Sequence, residues 1–324
     1  MSNLNLLLNS QSSGGNAWFA LAEERGYFAD EGVAITLSAG RGGFRAAQLL
    51  MEEPVDLAFG DLAGLVAVAA EHGEAAPLAV YSVHQNSPAA ITTPRDGPVR
   101  TAGDLRGKTL IGHGGDVGLR IFAAYAQSAG LDLADVAIRV SDASMPDMVR
   151  QALDGEADGV FGYYTSLTAG LRQSAPDLEA RMRFLRFTEV APELPGSLVM
   201  ASREVLRDKP EAIRAALRAI NRGLLATLAD PEAAVAAALK RSPEQDIKVE
   251  RARLADTIAH EIEHPDVARI GYGDFDIARL DRAITLLAGS QHLRRPATEE
   301  VFRADFLPPL AERLAPARAP AAHA

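Results

Sequence analysis

The sequence predicts an α/β fold in two lobes, each a mostly parallel sheet flanked by helices. Short β-rich segments alternate with helical segments from the N-terminus onward, which is typical of parallel sheets covered on both faces. The alternation restarts after Ser87 and changes near Pro195 to long helices. A chain of 324 residues with 48% hydrophobic content is also long enough for two cores. We therefore expect residues 1–87 and 195–324 to form lobe 1 and residues 88–194 to form lobe 2.

The first helix and its flanking turns are the best-defined segment. Asn16 is suited to cap the helix, because its side-chain oxygen can accept a free amide of the first turn. The helix is predicted over residues 17–25, and Gly26 is placed to end it in a left-handed conformation. Val33, Ile35 and Leu37 then alternate as in a strand, which is predicted over residues 33–38. The amides of residues 14–17 are predicted to be free for a polar or anionic group.

The same signals predict the other elements in order. In the first unit they are strands 3–9, 55–59 and 78–84 and helices 43–52 and 62–72. In the second unit they are strands 89–93, 108–112, 136–140, 159–161 and 183–187 and helices 117–129, 145–153 and 166–173. A strand at 197–202 follows, and then two long helices that begin at Pro210 and Pro231, since proline suits the first helical turn.

Composition excludes several classes of function. The net charge of −10 argues against nucleic acid and against anionic membranes as partners. The longest apolar run, residues 62–70, is too short for a membrane-spanning helix, which needs about 20 residues. The chain has no cysteine, which rules out disulfides, thiolate catalysis and cysteine-bound zinc. No cofactor is expected.

The segment around the first helix carries a family resemblance. It matches a pattern of small, acidic, glycine and aromatic residues at Ala22, Glu24, Gly26, Phe28, Glu31, Gly32, Val33 and Ile35. Further blocks follow in register at 56–66, 82–91, 104–118, 152–164, 195–211 and 221–234. Together they resemble the substrate-binding proteins of bacterial ABC importers for nitrate, sulfonates, taurine and thiamine-pyrimidine precursors. The resemblance covers residues 3–240.

This resemblance implies a type II periplasmic-binding-protein fold with a small-molecule ligand in the cleft between the lobes. It implies a monomeric, non-catalytic receptor whose partner is a transporter permease. The location it implies is the periplasm. Residues 1–9 do not have the character of a signal peptide, so we expect one to have been removed, with a cytoplasmic protein as the alternative. The Ala/Pro-rich residues 316–324 are predicted to be disordered.

The candidate ligand residues of lobe 1 follow its strands, because ligands of open α/β sheets gather at the carboxyl ends of strands. They are Ser10, Gln11, Ser12, Ser13, Gly14 and Asn16 after the first strand, Arg41, Gly42, Gly43 and Phe44 after the second, and Gly60 and Asp61 after the third. Each loop has an alternative interpretation as an ordinary helix cap or a flexible turn. Trp18 is either a wall of the cleft or a core residue.

Lobe 2 and the first crossing between lobes supply the facing candidates. They are His113, Gly114, Gly115, Asp116 and Val117 in one loop, Asp142 in the next, Tyr163 and Tyr164 after a later strand, and His84 and Gln85 at the crossing. The resemblance implies that the amides of residues 113–117 close over the ligand. Paired tyrosines can stack on a planar ligand, although they could equally pack in the core, and His84 could be a hinge residue.

His260, Glu261 and His264 form the H-E-x-x-H pattern of zinc proteases, in which both histidines bind metal and glutamate acts as the base. Leu254, Ile258 and Ile262 define the buried stripe of this segment, so the histidines are predicted to face solvent. We therefore expect a solvated helix face here, with a metalloprotease as a low-ranking alternative.

The ligand class is only partly constrained by the sequence. A site for a simple oxyanion should be free of carboxylates, yet Asp61, Asp116 and Asp142 lie in the candidate loops. A polar aromatic or heterocyclic compound, or a larger organic anion, fits this mixture better than nitrate. An enzyme of the same fold, similar to the thiamine-pyrimidine synthases, is the alternative, but those enzymes carry a cysteine-rich motif that this chain lacks.

Overall fold

Two five-stranded sheets form the centre of the fold, which we describe from a computed structural model for residues 1–314. The strands are β1 (Ser2–Leu7), β2 (Val33–Ser38), β3 (Leu57–Asp61), β4 (Leu78–Ser82), β5 (Ala89–Pro94), β6 (Lys108–Gly112), β7 (Val136–Val140), β8 (Gly159–Tyr163), β9 (Met182–Arg186) and β10 (Ser197–Ala201). The first sheet has the order β2-β1-β3-β10-β4 and the second the order β7-β6-β8-β5-β9. In each, one strand (β10 or β5) runs antiparallel to its neighbours, which confirms the predicted two-lobed, mostly parallel architecture.

Helices cover the sheets and fill the C-terminal third of the chain. The helices up to the second crossing are α1 (Ala17–Glu24), α2 (Tyr27–Asp30), α3 (Ala46–Glu52), α4 (Leu62–His72), α5 (Val117–Arg120), α6 (Phe122–Ala129), α7 (Met145–Leu153), α8 (Tyr164–Ser174) and α9 (Pro176–Ala180). Those that follow are α10 (Arg203–Asp208), α11 (Pro210–Ala229), α12 (Pro231–Arg241), α13 (Ile247–Thr257), α14 (Val267–Ile270), α15 (Ile277–Ser290), α16 (Thr298–Val301) and α17 (Leu310–Arg313). Within residues 1–314, no helix is long and apolar enough to cross a bilayer.

The chain crosses between the sheets twice, at residues 83–88 and 187–196. The two crossings are hydrogen-bonded to each other. The backbone N–H of Ser87 donates to the carbonyl of Leu194 at 2.9 Å, and that of Gly196 donates to the carbonyl of His84 at 3.0 Å. The crossings therefore form one short, paired connection between the sheets.

The C-terminal helices contact both lobes. Helix α13 packs against α8 of the second lobe, and α15 packs against both α4 and α6. One hydrophobic cluster runs continuously from Leu62 through Phe122 to Ile284. The sequence predicted the C-terminal helices as part of lobe 1 alone, whereas in the structure they also contact lobe 2. The lobe boundaries at 87/88 and 194/195 remain a prediction.

The element boundaries differ from the prediction at a few places, each with a local reason. Strand β3 extends to Asp61 because residues 60 and 61 pair with β10, while Val55 closes a turn after α3. Strand β8 extends to Tyr163, which pairs with Ala89 of β5. The predicted helix 117–129 is divided at Ile121. The proline starts at Pro210 and Pro231 are confirmed, and the tail predicted at 316–324 lies outside the described residues.

Candidate ligand-binding site between the two sheets

A polar cavity lies where the carboxyl ends of the parallel strands of the two sheets face each other. It is lined by Asn9, Ser10, Ser13, Gly15 and His84 from the first lobe, by Tyr163, Thr165 and Ser166 from the second, and by Arg253, Thr257 and Glu261 from the C-terminal segment. Its volume is about 50 Å³, whereas sites for small organic ligands usually measure roughly 300–1,000 Å³. The cavity is therefore too small for such a ligand in this structure.

The loop after β1 is held in place by its own side chains. Asn16 is buried and its Oδ1 accepts from the backbone N–H of Ser13 at 2.9 Å. Its Nδ2 donates to Asn9 Oδ1 at 3.2 Å and to the carbonyl of Gln11 at 3.0 Å. The expected capping of α1 by the Asn16 side chain is therefore wrong, because this side chain is used to shape the loop.

The same loop is also fixed to the C-terminal part of the chain. The N–H of Gly14 donates to Glu250 Oε2 at 2.7 Å, so the prediction of a free amide here is wrong. Glu250 is buried and is also bonded by Arg253 Nε at 3.0 Å. Ser10, Ser13 and Gly15 are the residues of this loop that line the cavity.

Asp61 and Tyr163 meet across the two sheets. Asp61 is buried, and its Oδ1 accepts from the N–H of Ala63 at 2.9 Å, which confirms it as the cap of α4. The hydroxyl of Tyr163 donates to Asp61 Oδ2 at 3.3 Å. Burial raises the pKa of Asp61 to about 6, while these two hydrogen bonds oppose the rise. Burial also raises the pKa of the Tyr163 phenol, so it remains a donor at neutral pH.

Glu261 and His84 form a second buried polar pair in the cavity. His84 Nδ1 lies 3.1 Å from Glu261 Oε2, and both side chains are 3% exposed. The contact lacks hydrogen-bond alignment, so neither ring nitrogen of His84 has a hydrogen-bond partner among the described residues. Burial raises the pKa of Glu261 to about 8 and lowers that of His84 to about 3. At pH 7 the carboxyl is therefore protonated and the ring is neutral.

Two aromatic rings pack against the His84 ring. Trp18 and Phe59 lie edge-on to the His84 ring, with centroid separations of 5.8 and 5.4 Å. Trp18 is fully buried and does not line the cavity. Of its two predicted roles, the structure supports the core residue beneath the cleft.

The H-E-x-x-H segment has a different geometry from the one expected. Residues 258–262 form a π-helical turn after α13, and this turn buries Glu261, whose Oε1 accepts from Thr165 Oγ1 at 2.6 Å. The expectation of a solvated face is therefore wrong for Glu261. His260 Nδ1 contacts Arg186 at 2.9 Å and His264 Nε2 contacts Arg279 at 3.1 Å, and residues 1–314 contain no group of three or more potential ligands that could hold a metal.

A family model described as "NMT1/THI5 like" matches residues 16–234. The chain belongs to this family. The match starts just before the first helix and covers every strand of the two sheets except β1.

Individual relatives are distant from this NMT1/THI5-like protein. The riboflavin-binding protein RibY of Chloroflexus aurantiacus is 23% identical over 296 residues, which cover 90% of this chain and 82% of the relative. The periplasmic aliphatic sulphonate-binding protein SsuA of Escherichia coli shares the fold with a TM-score of 0.68 and 16% identity, covering 93% of this chain and 98% of the other. The fold thus accommodates proteins named for quite different ligands.

The fold also occurs in an enzyme. The desulfurization enzyme DszB superposes with a TM-score of 0.63 and 14% identity, covering 95% of this chain and 99% of the enzyme. Fold likeness at this identity carries no function. The present chain has no cysteine, so thiolate chemistry is not available to it.

Several predicted residues lie outside the cavity of this NMT1/THI5-like protein. Gln11 and Ser12 line a separate groove of about 260 Å³ beside Arg241. Arg41 is exposed and pairs with Glu53. Phe44 lies 5.8 Å beneath the Arg120 guanidinium. The glycines beside these residues are Gly42, which has a positive φ of 99°, and Gly43, which approaches Asp61.

Other predicted residues have structural roles at the rim or in the core. Gly60 packs so tightly that a Cβ would lie 2.2 Å from that of Ala46. Gln85 is fully buried and bonded on both ends, to Asp274 and Arg279. Gln85 therefore stabilises the first crossing segment and does not line the cavity.

The second-lobe loop after β6 lies near the cavity but does not line it. Asp116 caps α5 by accepting from the N–H of Leu119 at 3.3 Å, and burial raises its pKa. The other members of this loop are His113, Gly114, Gly115 and Val117, and Asp142 is exposed in the next loop. Tyr164 points into a different groove, where its ring packs edge-on to Phe184 at 5.0 Å.

Six residues that line the cavity lie outside every segment that the sequence analysis assigned to the ligand, namely Asn9, Thr165, Ser166, Arg253, Thr257 and Glu261, whereas Gly15 falls in the predicted segment 14–17. Glu261 was detectable. It follows Ile258 by three residues and precedes Ile262, so helical spacing places it beside the buried stripe. A buried carboxyl on such a stripe is a candidate functional group.

Proposed function

We propose that this NMT1/THI5-like protein is a solute-binding receptor of an ABC importer and that it holds its ligand between the two sheets. The observation that carries the proposal is a pair of buried carboxyl groups at the cavity. Glu261 lines it, and Asp61 accepts a hydrogen bond from Tyr163, which also lines it. Among residues 1–314, neither carboxyl forms an ion pair with arginine or lysine. Buried polar groups with spare bonding capacity usually mark functional sites. We place the receptor in the periplasm, with a permease as its partner.

The proposed ligand is a small polar heterocycle with several hydrogen-bond donors. At pH 7 Asp61 is ionised and Glu261 is neutral, because their pKa values are about 6 and about 8. Among the described residues, Arg253 is the one arginine that lines the cavity, and it already pairs with Glu250 at 3.0 Å. A bare sulfonate would therefore meet a carboxylate with no free cation to offset it. The relative named for riboflavin binding supports a heterocyclic ligand.

Ligand entry requires the lobes, proposed as 1–87 with 195–324 and 88–194, to separate. Bonds across the cleft hold them closed, including Tyr163 to Asp61 at 3.3 Å and Thr165 to Glu261 at 2.6 Å. Arg172 of α8 adds an ion pair to Asp256 of α13 at 2.9 Å. Hinge motion about paired crossings is a common mode of such closure.

The test is a thermal-shift screen of heterocycles, aryl carboxylates and sulfonates, followed by titration calorimetry of the hits. We expect Asp61→Asn and Glu261→Gln to weaken binding at least tenfold. Asp142→Asn is the matched control, because Asp142 is an exposed carboxylate of a nearby loop, and it should bind like the parent. Equal affinity in all three variants, or conversion of the ligand by the protein alone, would contradict the proposal.

A further inference from the structure

A second groove lies along the edge strand β9, outside the cavity described above. It is lined by Arg95, Tyr164, Met182, Arg183, Phe184 and Arg186 and has a volume of about 320 Å³. It shares no lining residue with the cavity between the sheets. Its size falls in the range of small-molecule sites.

The three arginines of this groove have no acidic partner. Within residues 1–314, none of them forms an ion pair with aspartate or glutamate, although the chain has 43 acidic against 33 basic residues. Two carboxylates in the surroundings of Tyr164, Asp256 and Glu179, are both held by Arg172 at 2.9 Å. The groove is therefore a local excess of positive charge in an acidic protein.

The bonds these arginines do make leave most of their donors unused. Arg183 Nη2 donates to the carbonyl of Arg95 at 3.2 Å, and its Nε is buried without a hydrogen-bond partner among the described residues. Arg186 Nη1 contacts His260 Nδ1 at 2.9 Å. Burial and the Arg186 charge lower the pKa of His260, which keeps the ring neutral and able to accept this bond.

An apolar floor accompanies the charge. The Arg186 guanidinium lies over the Tyr164 ring at 5.2 Å, and Phe184 packs edge-on to that ring at 5.0 Å. Met182 beside them is buried. Stacking holds the guanidinium of Arg186 in one orientation, which prepares it for a planar, two-point contact with an oxyanion.

We propose that this groove binds a small molecule that carries an oxyanion on an aromatic body. The guanidinium groups of Arg183 and Arg186 bind the oxyanion through charge-assisted hydrogen bonds, and the aromatic body packs on Tyr164 and Phe184. The site is independent of the ligand proposed for the cleft, so the two can fail separately.

Titration calorimetry of the full chain with phenyl phosphate tests this site. Arg183→Gln and Arg186→Gln should each weaken binding about tenfold, and Arg186→Lys should weaken it less, because lysine keeps the charge but loses the planar fork. Arg139→Gln is the matched control, since Arg139 lies on β7 at the opposite edge of the same sheet. It should bind like the parent.

A further titration tests whether the phosphate group is what the groove recognises. Phenol should bind at least tenfold more weakly than phenyl phosphate. An equal loss in Arg139→Gln or equal binding of phenol would overturn the proposal. Thermal melts followed by circular dichroism show whether each variant is folded. If a glutamine variant does not fold, the comparison of Arg186→Lys with the parent still tests the proposal.

Discussion

Buried titratable groups lie in two regions of this molecule and are surrounded differently. Beside the crossing segment, Arg279 is 6% exposed and donates to the carbonyl of Gln85 at 2.9 Å and to its Oε1 at 2.5 Å. It also pairs with Asp266 at 3.4 Å. In the cleft, Asp61 and Glu261 are 2% and 3% exposed but contact neither lysine nor arginine within residues 1–314.

The two regions differ in whether the buried group is bonded to an oppositely charged partner, and this distinguishes a structural role from a role in binding. A buried charge that is fully bonded stabilises the fold only as long as every partner remains. A buried carboxyl without a cation costs stability and retains bonding capacity for something else. The crossing is therefore expected to be sensitive to mutation through stability, and the cleft through ligand binding.

Arg279→Met should give the largest loss of stability. It leaves Asp266 and the carbonyl of Gln85 without their donor, and breaking a buried pair costs about 3–5 kcal/mol. Urea unfolding measures the loss. Arg282→Met on the same helix is the control, because Arg282 is exposed and should stay within about 0.5 kcal/mol of the parent. A similar small effect for both would remove the distinction between the two regions.

Glu261→Gln should show the opposite behaviour and stabilise the protein at high pH. Burial raises the pKa of Glu261 from 4.5 to about 8, so the folded state binds its proton more tightly than the unfolded state. The stabilisation from this proton is complete below pH 4.5 and is lost as pH rises toward 8. The glutamine side chain of the variant does not titrate, so the variant does not lose stability in this way.

Melting temperatures between pH 4.5 and 8.5 test this expectation. The variant should gain stability relative to the parent as pH rises, by roughly 4–5 kcal/mol at the upper end. Glu244→Gln, an exposed change, is the control and should show no such gain. A difference in stability between the variant and the parent that does not change with pH would mean that Glu261 is ionised over this whole pH range.

Gly14→Ala tests the bond between the first loop and Glu250. A Cβ at position 14 would lie 2.2 Å from the carbonyl oxygen of Glu250, so the loop must move. We expect a loss of about 1–3 kcal/mol in urea unfolding. Gly15→Ala is the matched control, because its nearest neighbour is 3.6 Å away. If the two variants unfold at the same urea concentration, the loop is not fixed there.

The smallest effect is expected at the exposed ion pair of Arg41 and Glu53. Arg41→Ala should change stability by less than about 0.5 kcal/mol, since exposed ion pairs contribute little. It should also leave ligand affinity unchanged, because Arg41 does not line the cavity. Calorimetry showing a tenfold loss of affinity would return this residue to the binding site.

The parts of the fold that local signals determine could be predicted from sequence. Gly26 has φ 71° as expected of a left-handed helix end, and Asp61 caps α4. Strands β2, β6 and β7 have their predicted limits. These features depend on residues within one turn of each other.

The parts that were missed depend on contacts distant in sequence. The bond from Gly14 to Glu250 spans 236 residues, and that from Thr165 to Glu261 spans 96. The π-helical turn at 258–262 buries Glu261 against Thr165 of the second lobe, and no local pattern indicates this turn. The family resemblance ended near residue 240, so it could not supply the C-terminal side of the cavity.

A crystal structure with the strongest hit of the heterocycle screen tests the central claim most directly. The account predicts the ligand between the sheets, in contact with Tyr163, Asp61 and Glu261, in a cavity much larger than the present 50 Å³. A ligand held in the groove beside Gln11 and Ser12, with the cavity between the sheets still closed, would contradict it.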